Sequence, residues 1–225
     1  MKQHDVSSLK ALYLAGEPLD ESTSAWIAGE LGVSIIDNYW QTETGWPILT
    51  VANGVQKMTS KFGSPGVPMY GYRVKLLHES TGEELTQPNE KGVVVLEGPT
   101  PPGFMQTIWQ DDARYLETYW QTLPGIWVHG DLALRRADGQ FFMRGRSDDT
   151  LKVAGKRLGP AEVGEAVLKL PEISEAAAIG VPDAERGERL VVFVIAAHAA
   201  ADSAANSRSK VSRSIRFASK RAQAL

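Results

Sequence analysis

Residues 145–159 limit what this chain can fold into more than any other stretch. They run Gly145-Arg146-Ser147-Asp148-Asp149-Thr150-Leu151-Lys152-Val153-Ala154-Gly155-Lys156-Arg157-Leu158-Gly159, with three glycines and six charged side chains among few apolar ones. A core strand or helix is not written this way. The pattern predicts a charged hinge and turn that bends sharply, approaches a ligand closely and offers cations to an anion. The segments on either side read as separate folding units.

Upstream, residues 9–15 read as a buried strand that ends at Gly16-Glu17-Pro18. Asp20 then caps a helix with Trp26, Ile27 and Leu31 on one side, closed by Gly32. Residues 33–36 form a second short strand that enters Asp37-Asn38-Tyr39-Trp40. Strand, helix and strand predict a βαβ unit with a parallel sheet, whose ligands bind beyond the carboxyl ends of the strands. Residues 16–18 and 37–43 share that edge. From about residue 62 the texture turns to short strands between Gly/Pro turns. Strands are predicted at 72–77, 93–96 and 126–134, with a hairpin through Asp138-Gly139 into 140–144 and a short helix at 111–119. After the charged stretch, a helix at 161–170 follows Pro160, with strands at 176–181 and 189–197. Beyond His198 the sequence is mostly Ala, Ser, Arg and Lys without an acidic residue after Asp202, which predicts a disordered or loosely helical tail.

Composition narrows the chemistry. There is no cysteine among the 225 residues, so disulfides, thiol catalysis and Cys-based zinc sites are excluded. A net charge of -3 does not favour nucleic acid or an anionic membrane as partner. No apolar run approaches the ~20 residues of a membrane helix, and the first residues lack the apolar core of a secretory signal. The expectation is a soluble cytoplasmic protein.

Three clusters carry candidate chemistry. In Asp37-Asn38-Tyr39-Trp40-Gln41-Thr42-Glu43-Thr44-Gly45, Thr42 and Glu43 suit a phosphate and its magnesium, and the aromatics suit a stacked base or a pocket wall. The same residues also suit a plain capped turn. Asp131, behind Gly130, could accept two ribose hydroxyls or bond its own backbone. Arg144, Arg146, Lys152, Lys156 and Arg157 suit phosphates or a solvated face.

Taken in order, these motifs resemble the adenylate-forming superfamily, the AMP-producing acyl-CoA synthetases. The resemblance covers residues 7 to about 197. It is strongest to the short-chain branch, and residues 38–48, 63–72, 101–103 and 106–109 are similar to propionyl-CoA synthetases. The fold implied is α/β: the C-terminal part of the adenylate-forming enzyme, a partial mixed sheet with helices and a small β-rich subdomain, then a small α+β lid domain. The implied domains are 1–147 for the AMP-binding body, 148–197 for the lid and 198–225 for a divergent tail. The resemblance implies ATP, AMP, CoA and magnesium as cofactors and a short-chain carboxylate as substrate. Gly16, Glu17 and Pro18 would line the adenine, with Asp37, Asn38 and Tyr39 opposite. Gln41 and Thr42 would reach the phosphates, Glu43 would hold magnesium, and Trp40 would shorten the acyl pocket. Asp131 would take the ribose hydroxyls with Arg146 beside it. Arg157 would contact the phosphate region, Gly155 would border the pantetheine tunnel, and Asp148 would be the hinge.

Two family features do not occur in these residues: a Gly-rich phosphate loop with its lysine, and a Pro-Lys-Thr-x-Ser-Gly-Lys pattern. The tail's Ser219-Lys220-Arg221-Ala222 does not match the latter. The chain also begins at a strand that would be central in the family's sheet. The expectation is therefore a ligase fragment, inactive in isolation. The alternative is a non-catalytic binding or regulatory module that retains AMP or CoA recognition, or that pairs with a separately encoded N-terminal half.

Overall fold

The computed structural model describes residues 4–16, 19–147, 149–153, 156–183 and 187–197, leaving aside the side chains at 152, 153, 156, 157, 161 and 187. The chain divides into two compact units, Met1–Met143 and Arg144–Leu225.

The first unit opens with β1 (Ala11–Ala15), α1 (Glu21–Leu31) and β2 (Ser34–Asn38). β1 and β2 pair in parallel from Ala11↔Ser34 to Ala15↔Asn38, as the strand–helix–strand pattern predicts. α1 starts where Asp20 accepts the N–H of Thr23 and ends at Gly32, whose φ of 66° is left-handed. Its packing differs from expectation. Ile27 and Leu31 are half-buried, but Trp26 is 60% exposed. Among the described residues, the sheet that includes β2 has two strands, and Trp26 is not covered by it.

A short 3-10 turn, Thr42–Thr44, leads to the small pair β3 (Leu49–Thr50) and β4 (Val67–Pro68). The larger sheet follows: β5 (Arg73–Leu77), β6 (Lys91–Glu97), β7 (Ile126–Arg135) and β8 (Phe141–Arg146), in that spatial order. Between β6 and β7 the chain forms α2 (Asp112–Tyr119), capped by Asp111, which accepts the N–H of Arg114. Ile48, Leu49, Tyr72, Leu76, Val94, Leu96, Phe104, Trp127, Ala133 and Phe141 make up the core, with Tyr115, Tyr119 and Trp120 packed on it.

In the second unit, β9 (Leu151–Val153) and β10 (Lys156–Leu158) pair antiparallel, with Lys152 opposite Arg157. The charged stretch thus holds a strand pair where a hinge and turn alone were expected. α3 (Pro160–Leu168) packs on the long hairpin of β11 (Ile173–Asp183) and β12 (Gly187–Ala196) through Val163, Val167, Ile173 and Ala178. The strand order is β10-β9-β12-β11. Among the described residues no helix is long and apolar enough to cross a membrane.

Candidate functional site

The predicted site residues of the first unit collect at the carboxyl end of β2 and on β7. Gly16 leaves β1 with φ 111° and is exposed, whereas Glu17 and Pro18 lie outside the described residues. At the end of β2, the Asn38 side chain donates to Leu14 O at 2.9 Å and Ile36 O at 3.2 Å and accepts from Thr50 Oγ at 2.5 Å. It ties β1, β2 and β3 together. The half-buried Asp37 carboxylate accepts the N–H groups of Asn38 and Leu19, yet burial outweighs these bonds and lifts its pKa from 3.8 to about 6.

The turn carrying Thr42 and Glu43 is anchored at several points. Gln41 O and Thr44 N close it at 3.0 Å, Tyr72 Oη donates to Thr44 O at 3.0 Å, and Met105 N donates to Glu43 O at 2.7 Å. Gly45 ends it with φ 65°, and a Cβ there would stand 2.5 Å from Gly103 O. Thr42 and Trp40 are exposed.

On β7, the register slips between the pairs Val93↔Leu132 and Val95↔Val128. The extra residues bulge around Gly130, which has φ 93°. The bulge delivers Asp131 to Tyr39, whose hydroxyl donates to Asp131 Oδ2. His129 Nδ1 lies 3.2 Å from the same oxygen. Tyr39 in turn accepts from Gln41 Nε2 at 2.7 Å, and Gln41 Oε1 accepts from the Trp127 indole N–H at 3.2 Å. Both ends of the Gln41 amide are therefore engaged inside the protein.

Glu43 Oε1 accepts from Tyr119 Oη at 2.9 Å. Burial, followed by the hydrogen bond to Glu43 and its charge, holds the Tyr119 phenol above the ordinary tyrosine value, so it stays protonated and donates. Glu43 Oε2 has no protein partner among the described residues. Magnesium takes one or two carboxylates and completes its shell with water and substrate phosphates. One fixed carboxylate with an open oxygen, beside an exposed threonine, fits that ion. Among the described residues there is no cluster of three acidic or histidine side chains for a metal held by protein alone.

The remaining predicted residues belong to the second unit. Arg146 is exposed at the end of β8, and Arg157 lies in β10. Asp148 and Gly155 fall outside the described residues. Sequence reasoning missed Tyr119, Trp127 and His129. The available signal was the period-2 spacing of Trp127, His129 and Asp131 along one strand, which alone does not separate a site face from a core face.

A strand-end site with one carboxylate aimed by a bulge and another fit for a divalent cation defines a candidate nucleotide-binding body. The chain belongs to the AMP-binding enzyme family: the family profile matches residues 1–109, and that of the AMP-binding enzyme C-terminal domain matches residues 162–220. It is 52% identical over 196 residues to the propionate–CoA ligase of Salmonella typhimurium, covering 87% of this chain and 31% of that protein. It is 36% identical over 197 residues to the acetyl-coenzyme A synthetase of Pyrobaculum aerophilum, covering 86% of this chain and 29% of that protein. The fold is similar to the crystal structure of the anthranilate CoA ligase AuaEII in complex with anthranoyl-AMP, with a TM-score of 0.71 and 30% identity, over 86% of this chain and 35% of that one. The chain thus spans about a third of the length of the curated relatives it matches.

Proposed function

We propose that the chain is the nucleotide-site and lid portion of an AMP-forming acid–thiol ligase. The reaction joins propionate to CoA through propionyl-AMP, with release of pyrophosphate and then AMP. One observation carries the reading. Asp131 and Glu43, the two carboxylates such a site needs, each accept a hydrogen bond from a partly buried tyrosine, Tyr39 and Tyr119, packed on the same core.

No protein nucleophile is required, so the residues act by positioning and charge. Asp131 accepts ribose hydroxyls through the oxygen that Tyr39 does not occupy. Gly16, Glu17 and Pro18 border the adenine, with Asp37, Asn38 and Tyr39 across from them, and the absence of a side chain at Gly16 keeps that edge open. Thr42 offers its hydroxyl to a phosphate. Glu43 would hold magnesium together with substrate oxygens, and the ion would supply neutralisation of phosphate charge when bound. Exposed Trp40 limits the length of the acyl group. One methylene is worth only about 1–3 kcal/mol in such a pocket, so acetate remains a competing substrate. For the second unit we carry over the roles that the resemblance implies: Arg146 for the ribose side, Arg157 for the phosphate region, Gly155 for the path of CoA, and Asp148 as the hinge between residues 1–147 and 148–197. The setting we propose is cytoplasmic.

The 225 residues include neither the Gly-rich loop nor the Pro-Lys-Thr-x-Ser-Gly-Lys pattern, so AMP binding without catalysis is expected of them alone. Calorimetric titration with AMP and with CoA, run beside an ATP–pyrophosphate exchange assay with propionate, tests this. Binding of AMP with no exchange is the expected result. Absence of AMP binding overturns the nucleotide-site reading, and clear exchange overturns the prediction of inactivity.

A further inference from the structure

We propose that Trp127 is a positioning residue that sets both carboxylates of the site: Asp131 through Gln41 and Tyr39, and Glu43 through Tyr119. The inference rests on the nucleotide-site reading for the roles of those carboxylates, but its wiring stands on the hydrogen bonds and ring contacts alone.

The first branch has a fixed direction. An indole N–H can only donate, so Gln41 must turn its oxygen to Trp127, which it meets at 3.2 Å. The amide nitrogen then faces Tyr39 and, being a donor only, makes the Tyr39 oxygen accept at 2.7 Å. That leaves the Tyr39 proton to point at Asp131 Oδ2. Neither of the first two links can be reversed, so a single donor at the root determines where the last proton goes. Each bond also polarises the next in the low-dielectric interior. The Asp131 carboxylate is thereby held by Oδ2, which leaves Oδ1 as the oxygen we assign to the ligand.

The second branch uses the face of the same ring. Tyr119 stacks on Trp127 with centroids 4.1 Å apart and planes 6° from parallel. The stack carries the Tyr119 hydroxyl to Glu43 Oε1. Trp127 is itself immobilised, 1% exposed and met edge-on by Phe104 and Trp120. The resemblance places Gln41 at the phosphates, but the engagement of both ends of its amide assigns it to the relay.

The test separates the branches in the full 225-residue chain, using AMP, 2′,3′-dideoxyadenosine monophosphate and MgATP as probes in calorimetry. Gln41→Leu keeps Trp127 packed and cuts the first branch. It should lower the preference for AMP over the dideoxy compound about tenfold, the loss expected for a hydrogen bond to a charged group. Trp127→Phe should do the same if it folds, which circular dichroism checks. Tyr119→Phe should leave that preference intact and raise the magnesium concentration needed for ATP binding. If Gln41→Leu weakens both nucleotides equally, Gln41 contacts phosphate directly and the relay is wrong. A second arm needs no ligand. Tyr39→Phe should move the Trp127 indole N–H resonance, and an unmoved resonance refutes the relay even if the wild-type chain binds no AMP. A wild-type chain without AMP binding, but with the resonance shifted, overturns the nucleotide reading and leaves the wiring established.

Discussion

Replacing Asp37 by asparagine should make the folded chain more stable at pH 7.5 and leave it unchanged at pH 4. Asp37 sits near the end of β2, half-buried, with burial raising its pKa from 3.8 to about 6 against the pull of two backbone N–H bonds. Between those values the folded protein holds a proton that the unfolded chain has released. The contribution of the neutral carboxyl is fully present below pH 3.8 and is lost as the pH rises through about 6. The gap corresponds to about 3 kcal/mol if fully expressed. Partial access of solvent to the site screens it to about 1–2 kcal/mol. Asparagine removes the titration while retaining an oxygen for the N–H groups of Asn38 and Leu19. Urea unfolding at the two pH values, followed by far-ultraviolet circular dichroism, should therefore show a gain of about 1–2 kcal/mol at the higher pH only. The corresponding rise in Tm is about 2–8 °C. A difference between variant and wild type that does not change with pH would refute the reasoning, because the burial that raises the pKa would then not be felt by folding.

Two further substitutions probe the geometry around the site. Gly45→Ala combines a φ of 65° with a Cβ placed 2.5 Å from a backbone oxygen, and should cost about 1–3 kcal/mol in thermal or urea melts. Wild-type stability would show that the Thr42–Thr44 turn is not held against Gly103. Ser64→Ala removes a buried hydroxyl that donates to Phe141 O at 2.7 Å and accepts from Gly66 N at 3.1 Å. The stranded partners should cost about 1–3 kcal/mol, and a loss well under that would mean water replaces the hydroxyl.

What the sequence made legible is local. Asp20 and Asp111 could be read as helix starts because a cap and its N–H partners lie three residues apart. Gly32 and Gly139 could be read as stops and turns because a left-handed φ suits a residue without a Cβ. The parallel pairing of β1 with β2 followed from the intervening helix alone. Periodicity failed where its premise failed. It named an apolar side for α1, but Trp26 stays exposed, since spacing does not say whether a surface exists to cover that side. It also missed β9 and β10, whose three residues each are too few to show an alternation.

The candidate site divides along the same line. Asp131 and Glu43 were visible as residue types in suggestive turns, but each could equally have been a residue that bonds its own backbone. Their partners decide the matter, and those partners are remote: Glu43 meets Tyr119 across 76 positions, and Gln41 meets Trp127 across 86. No local rule links such pairs. They arise because α2 and β7 pack on one core and bring three aromatic rings over the turn at Thr42–Thr44. A tryptophan at that place reads, in sequence, as ordinary core, and by burial it is. Its indole N–H is the one feature a purely apolar core residue would lack, and that single donor converts a packing position into one that orients the site.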